Sequence, residues 1–399
     1  MELDAFIVDA LRSPRGLARV TGALAETKPV HLLAQMYEAL AARTGIDTES
    51  VEDAVIGCVS QTGEQGANIG KIAALYAGWS PSMSAATINR FCSSGLSAVS
   101  LAALQASAAD GLAIGGGVEM MSRVPMFSDN GAWRNDPEVA EATHFMSPGI
   151  GADLVATRHG FSREACDDYA ALSQQRAADA RQAGRFDSSM VPVRDMTGEI
   201  VLKQDETIRA GTTAAKLAIM KPAFAAEGVA GGDTRLLRQF PELDAVRHVH
   251  HAGNSPCMAD GAALVLVGSR NALRRHGLRP RARIVAVADA CVSLVQTGAV
   301  EATQKALRRA GLTLDDIDLF EVRDSFAAVT LHYIVTLGID IERFNVNGSS
   351  IALGHPMGAT GAMLVGTALD ELERIDGRYA VVAIPGAAGV AAAMVIERR

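Results

Sequence analysis

A thiol and an imidazole are the two groups in this 399-residue sequence whose surroundings best suit chemistry. Cys92 stands in Asn89-Arg90-Phe91-Cys92-Ser93-Ser94-Gly95, just ahead of an apolar helical stretch. A cysteine at such a strand-to-helix corner feels the positive end of the helix dipole, which favours the thiolate, and the small residues after it leave room for a substrate. His355 stands in Asn347-Gly348-Ser349-Ser350-Ile351-Ala352-Leu353-Gly354-His355-Pro356-Met357-Gly358-Ala359-Thr360-Gly361. Together, cysteine and histidine make a nucleophile with its base. Singly, each also fits a plainer role: a free cysteine is common in any core, and a histidine among glycines often only supports the fold.

The elements that must position these groups follow from periodicity. Short apolar runs alternate with amphipathic stretches, the pattern of an α/β protein. A strand is expected over 5–8, and Leu32, Leu33, Met36 and Leu40 predict a helix over 30–44 that Gly45 ends. Shifting the sequence by 266 residues brings Gly45-Ile46 onto Gly311-Leu312, Val51 onto Ile317 and Ile56 onto Val322 without a gap. The helix over 30–44 then meets 300–310. At a shift of 265 the helix over 97–105 meets 362–370, and 283–287 matches the first strand. Two halves built on one plan follow. In that frame Met357 falls on Cys92, so His355 occupies the equivalent corner of the other half, and two corners meeting across a pseudo-dyad put thiol and imidazole within reach. The stretch over 120–250 has no counterpart and reads as an insertion. It contains a helix over 162–181 with acidic Glu164, Asp167 and Asp168 in its first turns.

Composition excludes several classes. Charged residues are 21% and hydrophobic ones 49%, enough to bury a core. A formal charge of −8 leaves no electrostatic footprint for nucleic acid. The basic run over 270–283 reads as a solvated helix end and linker. Five scattered cysteines make neither a disulfide framework nor a CxxC zinc pair, and reduced thiols in the cytoplasm are expected. The chargeless stretch over 379–396 is long enough for a membrane span, but Pro385, Gly386 and Gly389 divide it into two buried strands. The N-terminus Met-Glu-Leu-Asp lacks the basic region of a signal peptide. Gly115-Gly116-Gly117 lacks dinucleotide-binding spacing. His248, His250 and His251 read as alternation on a strand rather than metal ligands, and Cys58, Cys166, Cys257 and Cys291 as packing residues.

Over nearly its whole length the sequence resembles the thiolase family of acetyl-CoA acetyltransferases and 3-ketoacyl-CoA thiolases. The blocks that carry the resemblance are the Cys92 segment, Gly115-Gly116-Gly117-Val118-Glu119-Met120-Met121-Ser122, Ala252-Gly253-Asn254, Asp260-Gly261-Ala262-Ala263 and 345–361. The resemblance implies a duplicated five-layered α-β-α-β-α fold: an N-terminal half over 1–119 completed by 251–270, a CoA-binding loop domain over 120–250, and a C-terminal half over 271–399. It implies Cys92 as the acyl-carrying nucleophile and His355, in the family's Gly-His-Pro position, activating it and lining an oxyanion hole. Lys221-Pro222-Ala223-Phe224 matches the family's CoA segment, with Phe224 on the pantetheine; Asn254 and Phe326 join Lys221 and Phe224 as expected CoA-side residues. Acyl-CoA and CoA are the implied partners, with CoA as substrate and product, no further cofactor, no metal and no membrane, in a homodimer or homotetramer.

Departures from the pattern bear on mechanism. Arg323-Asp324-Ser325-Phe326 replaces Asn-Glu-Ala-Phe, so Arg323 stands where the family's asparagine holds a water beside the enolate. Ala383-Ile384-Pro385-Gly386-Ala387 replaces Cys-x-Gly-Gly-Gly, removing the second cysteine at Ala383 and an oxyanion N–H at Pro385. Pro256 and His251 replace a serine and a threonine. The expected activity is acyl transfer through Cys92, in thiolysis or condensation of a 3-ketoacyl-CoA. The alternatives are a variant acyltransferase or thioester hydrolase with a non-carbanion acceptor, or a silent acyl-CoA-binding homologue.

Overall fold

In the computed structural model, which describes residues 3–293 and 297–399, the strands over the repeat adopt one order twice. In chain order the first half supplies β1 (Phe6–Arg12), β2 (Val51–Gly57), β3 (Ser84–Ile88), β4 (Leu112–Met120) and β5 (Ala259–Gly268), arranged β3-β2-β4-β5-β1. The second supplies β6 (Ala282–Cys291), β7 (Leu319–Val322), β8 (Tyr379–Pro385) and β9 (Val390–Arg398), arranged β7-β8-β9-β6. β2 runs parallel to β3 and β4, as β7 does to β8; β5 and β9 are antiparallel to their neighbours. The place of β3 is marked in the second half by a single bridge between Phe320 and Phe344. The halves join where Phe6 and Ile7 of β1 pair with Arg283 and Ala282 of β6.

Three cores separate five layers. One holds the outer face of the first half under α1 (Pro29–Thr44) and α2 (Ile69–Tyr76). The central core holds α3 (Ser94–Ala109), whose Leu96 and Val99 are buried in it together with Met363 and Val365 of the helix Met357–Ile375. The third packs the helices Ala299–Ala310 and Ala327–Leu337 against the outer face of the second half. Sequence explains the layering: both central helices begin with small residues, Ser94, Gly95 and Ser97 on one and Gly358, Ala359 and Gly361 on the other, so their backbones can cross closely. The segment Phe91–Ala109 is apolar and long enough to cross a membrane, but its place is this central layer, packed between the two sheets. The expected strands over 379–396 are β8 and β9, and Gly45 ends α1 at φ 65°.

The insertion adds α4 (Pro148–His159), α5 (Arg163–Gln182) capped by Ser162, α6 (Asp233–Gln239) and a hairpin of Val193–Arg194 with Ile200–Leu202. The longer helices of the second half are α7 (Ala299–Ala310), α8 (Ala327–Leu337) and α9 (Met357–Ile375).

Three expectations need correction. His248, His250 and His251 lie on irregular chain, not a strand, because each imidazole is drawn to a carboxylate: His248 to Asp153 and Asp233, His250 to Asp153, His251 to Asp167. Cys58 and Cys166 are buried, but Cys291 is exposed and Cys257 half-buried, so these two are not core packing. Within the basic run, Arg281 is a hub rather than a solvated charge: it pairs with Asp9, Asp370 and Glu373. The reading of the extreme N-terminus lies partly outside the described residues.

Candidate active site

Two corners meet because two helices cross at glycine. A Cβ on Gly95, in the first turn of α3, would come within 2.6 Å of the Gly358 carbonyl in the first turn of α9, and one on Gly361 within 2.1 Å of the Leu96 nitrogen. Cys92 precedes Gly95 by three residues, as His355 precedes Gly358, so the crossing brings both to one end of the central layer. Phe91 takes a left-handed turn (φ 47°) directly before Cys92. The Asn89 Oδ1 accepts from the Phe91 amide at 2.8 Å, and the Ser94 Oγ from the Arg90 amide at 2.8 Å. Ser93 Oγ donates to the Ile384 carbonyl at 3.0 Å and ties the Cys92 corner to the end of β8.

His355 is buried, and its hydrogen bonds fix its tautomer. Its amide donates to the Cys257 carbonyl at 2.7 Å. Its Nδ1 lies 2.7 Å from Thr360 Oγ1, and that hydroxyl gives its single proton to the Pro356 carbonyl at 2.9 Å. Nδ1 must therefore be the donor, leaving Nε2 with a lone pair. Nε2 is buried with no partner among the described residues. Burial first, then the charges on Arg323 and Arg15, push the imidazole well below its usual range. The ring is neutral and its free nitrogen is basic only weakly.

Arg323 stands beside both groups. Burial lowers its pKa, while Cys92 and Asp324 act against that fall. Nη1 donates to Ser325 Oγ at 2.9 Å and to the Pro385 carbonyl at 2.8 Å, and Nε is buried without a partner among the described residues. Burial also drives Asp324 up to about 7, against hydrogen bonds from the Ile351 amide and Ser173 Oγ. Position 383 carries no proton: the Ala383 methyl packs with Phe320 and Val322. Proline at 385 is tolerated for a reason visible in the ladder. The Gly386 amide donates to the Val390 carbonyl at 2.7 Å, so Gly386 and Val390 form the hydrogen-bonded pair, and the nitrogen of 385 faces away from β9. An N–H there would point toward the end of β7, where Arg323 stands.

Sequence reasoning missed the carboxylate that locks the corners together. Glu119, at the end of β4, accepts from the Val59 and Ser60 amides at 2.8 and 3.1 Å, from Gln65 Nε2 at 2.8 Å and from the Gly358 amide at 3.0 Å. Burial raises this carboxyl and the four donors act against it. Its position inside the block over 115–122 was the available signal, and Thr360, five residues after His355, had the same signal from the block over 345–361.

The expected CoA-side residues separate into two groups. Phe224 and Phe326 meet edge to face at 6.0 Å, and His250 stands 5.5 Å beyond Phe326. Lys221 is exposed, on a segment held by the Ala223 amide donating to the His250 carbonyl at 2.9 Å. Asn254 is buried and its amide is committed within the protein: Oδ1 accepts from the His251 amide, while Nδ2 donates to Asp167 Oδ1 and the Val249 carbonyl. Its carbonyl also accepts from the Ala327 amide at 3.1 Å, at the start of the helix that follows Phe326. Asn254 holds the corner that presents Phe326.

Comparison with known proteins fits this geometry. Residues 5–234 match the family described as "Thiolase, N-terminal domain", and 278–398 match "Thiolase, C-terminal domain". A 3-oxoadipyl-CoA/3-oxo-5,6-dehydrosuberyl-CoA thiolase of Escherichia coli is 37% identical over 420 residues, covering 99% of each chain. A 3-ketoacyl-CoA thiolase of Erwinia tasmaniensis is 39% identical over 406 residues, covering 98% of each. Among solved structures, an acetyl-CoA acetyltransferase of Bacillus anthracis superposes with a TM-score of 0.86 at 30% identity, over 100% of this chain and 99% of that one.

Proposed function

This chain belongs to the thiolase family and is an acyltransferase of the acetyl-CoA C-acyltransferase type, and from that premise we propose that Cys92 carries the acyl group and His355 Nε2 moves every proton in the cycle. The observation that carries this reading is the lone pair on Nε2, fixed by Thr360 and Pro356. The relatives favour this over the hydrolase and silent-homologue alternatives.

With a 3-ketoacyl-CoA, the Cys92 thiol gives its proton to Nε2 and the sulfur attacks the 3-keto carbon. The bond between C2 and C3 breaks, leaving an acyl thioester on Cys92 and the enolate of acetyl-CoA. The proton on Nε2 passes to the enolate carbon and acetyl-CoA departs. A CoA thiol then gives its proton to Nε2 and takes the acyl group, and the Cys92 sulfur recovers that proton. An imidazolium disfavoured by burial and by two guanidinium groups is a strong acid, which suits it to stand in for the thiol missing at 383. Arg323 supplies positive charge where the enolate oxygen develops, in place of the family's water. In the condensation direction the same steps run in reverse.

Phe224 and Phe326 are the proposed pantetheine contacts, with Lys221 at the CoA side and Asn254 as the residue that positions Phe326. CoA serves as substrate and product, with no resident cofactor or metal in this reading. The proposed division is 1–119 completed by 251–270, a loop domain over 120–250 that takes CoA, and 271–399. β3 is the outermost strand of its sheet, and α2 exposes Ile72, Leu75 and Tyr76 beside it; an open edge of this kind supports a homodimer or homotetramer. A cytoplasmic location is consistent with five unpaired cysteines. Mass spectrometry after mixing with acetyl-CoA or a 3-ketoacyl-CoA tests the reading: an acyl adduct on the Cys92 peptide is expected, and an adduct only on another cysteine, or none, overturns it.

A further inference from the structure

A cavity of about 680 Å³ lies between the insertion and the second half, lined among others by Trp133, Phe145, Phe240, Arg235, Arg238 and Ala388. That volume is in the range of small-molecule sites. Its lining is tied to the Cys92 corner by a chain of rings: Phe91 packs against Trp133 at 5.0 Å, and Trp133 against Phe145 at 4.8 Å. Phe91 is the residue directly before Cys92. Ala388 belongs to the turn that follows Gly386, and a Cβ on Gly386 would lie 3.3 Å from Ser93 Oγ, the residue directly after Cys92. The lining of the cavity thus stands one contact away from both residues that flank Cys92.

The lining is also cationic. Arg235 and Arg238 stand three residues apart on α6, on one side of that helix, and are exposed. Among the described residues neither has an ion-pair partner, and the only acid lining the cavity is Glu141. The helix that carries them is fixed. Leu236 is buried with Met146, Ile150 and Leu154, and Asp233, its first residue, meets His248 at 3.1 Å. Two guanidinium groups held at the end of an aromatic chamber suit a ligand that is apolar for several carbons and then anionic.

We propose that this cavity is the acyl-chain pocket and selects acyl groups that end in a carboxylate, which Arg235 and Arg238 read. The inference rests on Cys92 as the acyl carrier. The apolar section lies against Trp133, Phe145 and Phe240, and the terminal carboxylate pairs with the guanidinium groups once the chain has displaced water from between them. A neutral acyl chain of the same length fills the same space without that pairing.

Binding to a Cys92→Ser protein tests this without needing turnover. Heptanedioyl-CoA, heptanoyl-CoA and CoA are titrated by calorimetry into Cys92→Ser and into Cys92→Ser/Arg235→Gln/Arg238→Gln. In the first protein heptanedioyl-CoA should bind at least about fivefold more tightly than heptanoyl-CoA, the scale of two partly exposed ion pairs. In the second that ratio should fall to about one, with heptanoyl-CoA and CoA unchanged, which also shows that the variant is folded. Equal affinity for the two acyl-CoAs in the first protein overturns the proposal. So does an equal loss for all three ligands, which would assign the arginines to CoA phosphates. No binding of any ligand overturns it together with the acyl-CoA reading, whereas a missing adduct on wild-type Cys92 with the fivefold preference intact would fault only the covalent step.

Discussion

His355 Nδ1 and Thr360 Oγ1 lie 2.7 Å apart at the start of α9, and this contact decides which imidazole nitrogen carries the proton. The hydroxyl cannot donate to the ring, because its proton is given to the Pro356 carbonyl. The ring is left as the Nδ1–H tautomer.

Thr360→Val keeps the shape and removes that acceptor. Nδ1–H then loses its buried partner, and the other tautomer, with a proton on Nε2, becomes competitive. Acylation of Cys92 should slow by about 10–100-fold, the usual effect of losing a partner that orients a catalytic histidine, while CoA affinity stays within about twofold. Stopped-flow acylation and calorimetry on the same preparation check this; equal losses in both would mean that Thr360 only supports the fold.

Arg323→Asn restores the family's residue and removes a positive charge beside His355. In the wild type burial first, then Arg323 and Arg15, hold the imidazole neutral as pH falls well below 6.5. Without Arg323 the ring takes up a proton at higher pH, so the acid limb of the acylation rate should move up toward 6.5. The pH profile of adduct formation at Cys92 reads this directly. An unmoved limb would show that another group controls it.

Thiolysis of acetoacetyl-CoA should run below about 10 s⁻¹, the median for enzymes, because no thiol stands at 383 and no N–H at 385. Ala383→Cys/Pro385→Gly should raise it by at least about tenfold, since one lost oxyanion donor alone costs about 10²–10³. A wild type already faster than 10 s⁻¹ would show that His355 and Arg323 fully replace the missing groups.

His248 links α4 to α6 through Asp153 and Asp233, at 2.7 and 3.1 Å. Burial lowers its pKa, but the two carboxylates outweigh burial and the net shift is upward. A raised folded pKa contributes stability below the unfolded value of about 6.5 that is lost as pH climbs through the folded value. His248→Gln should therefore lower the melting temperature more at pH 6 than at pH 9. A difference between variant and wild type that does not change with pH would remove the charge from this account.

Much of the active end was legible because its signals are local or repetitive. The cysteine corner, the Gly-His-Pro turn, Gly45 after α1 and the division of 379–396 each depend on a few adjacent residues. The duplication placed Cys92 and His355 opposite each other by arithmetic on the sequence, and Gly95 against Gly358 is its physical form. The histidines over 248–251 misled because alternation predicts a strand only when the partners are other strands; here they are carboxylates on α4, α5 and α6.

By itself the sequence determined the two-half plan, through its internal repeat, and the family, through its motif blocks, and it pointed to Cys92 and His355 as the proposed nucleophile and base. Only the tertiary structure decided the roles of partners far apart in the chain. Glu119 reaches a Gly358 amide 239 residues away, Arg323 spends one nitrogen on the Pro385 carbonyl, and Asn254, expected at CoA, spends its amide on Asp167. A hydrogen-bonding group has several possible partners, and which one it takes is set by what packing brings within about 3 Å. No local pattern records that distance.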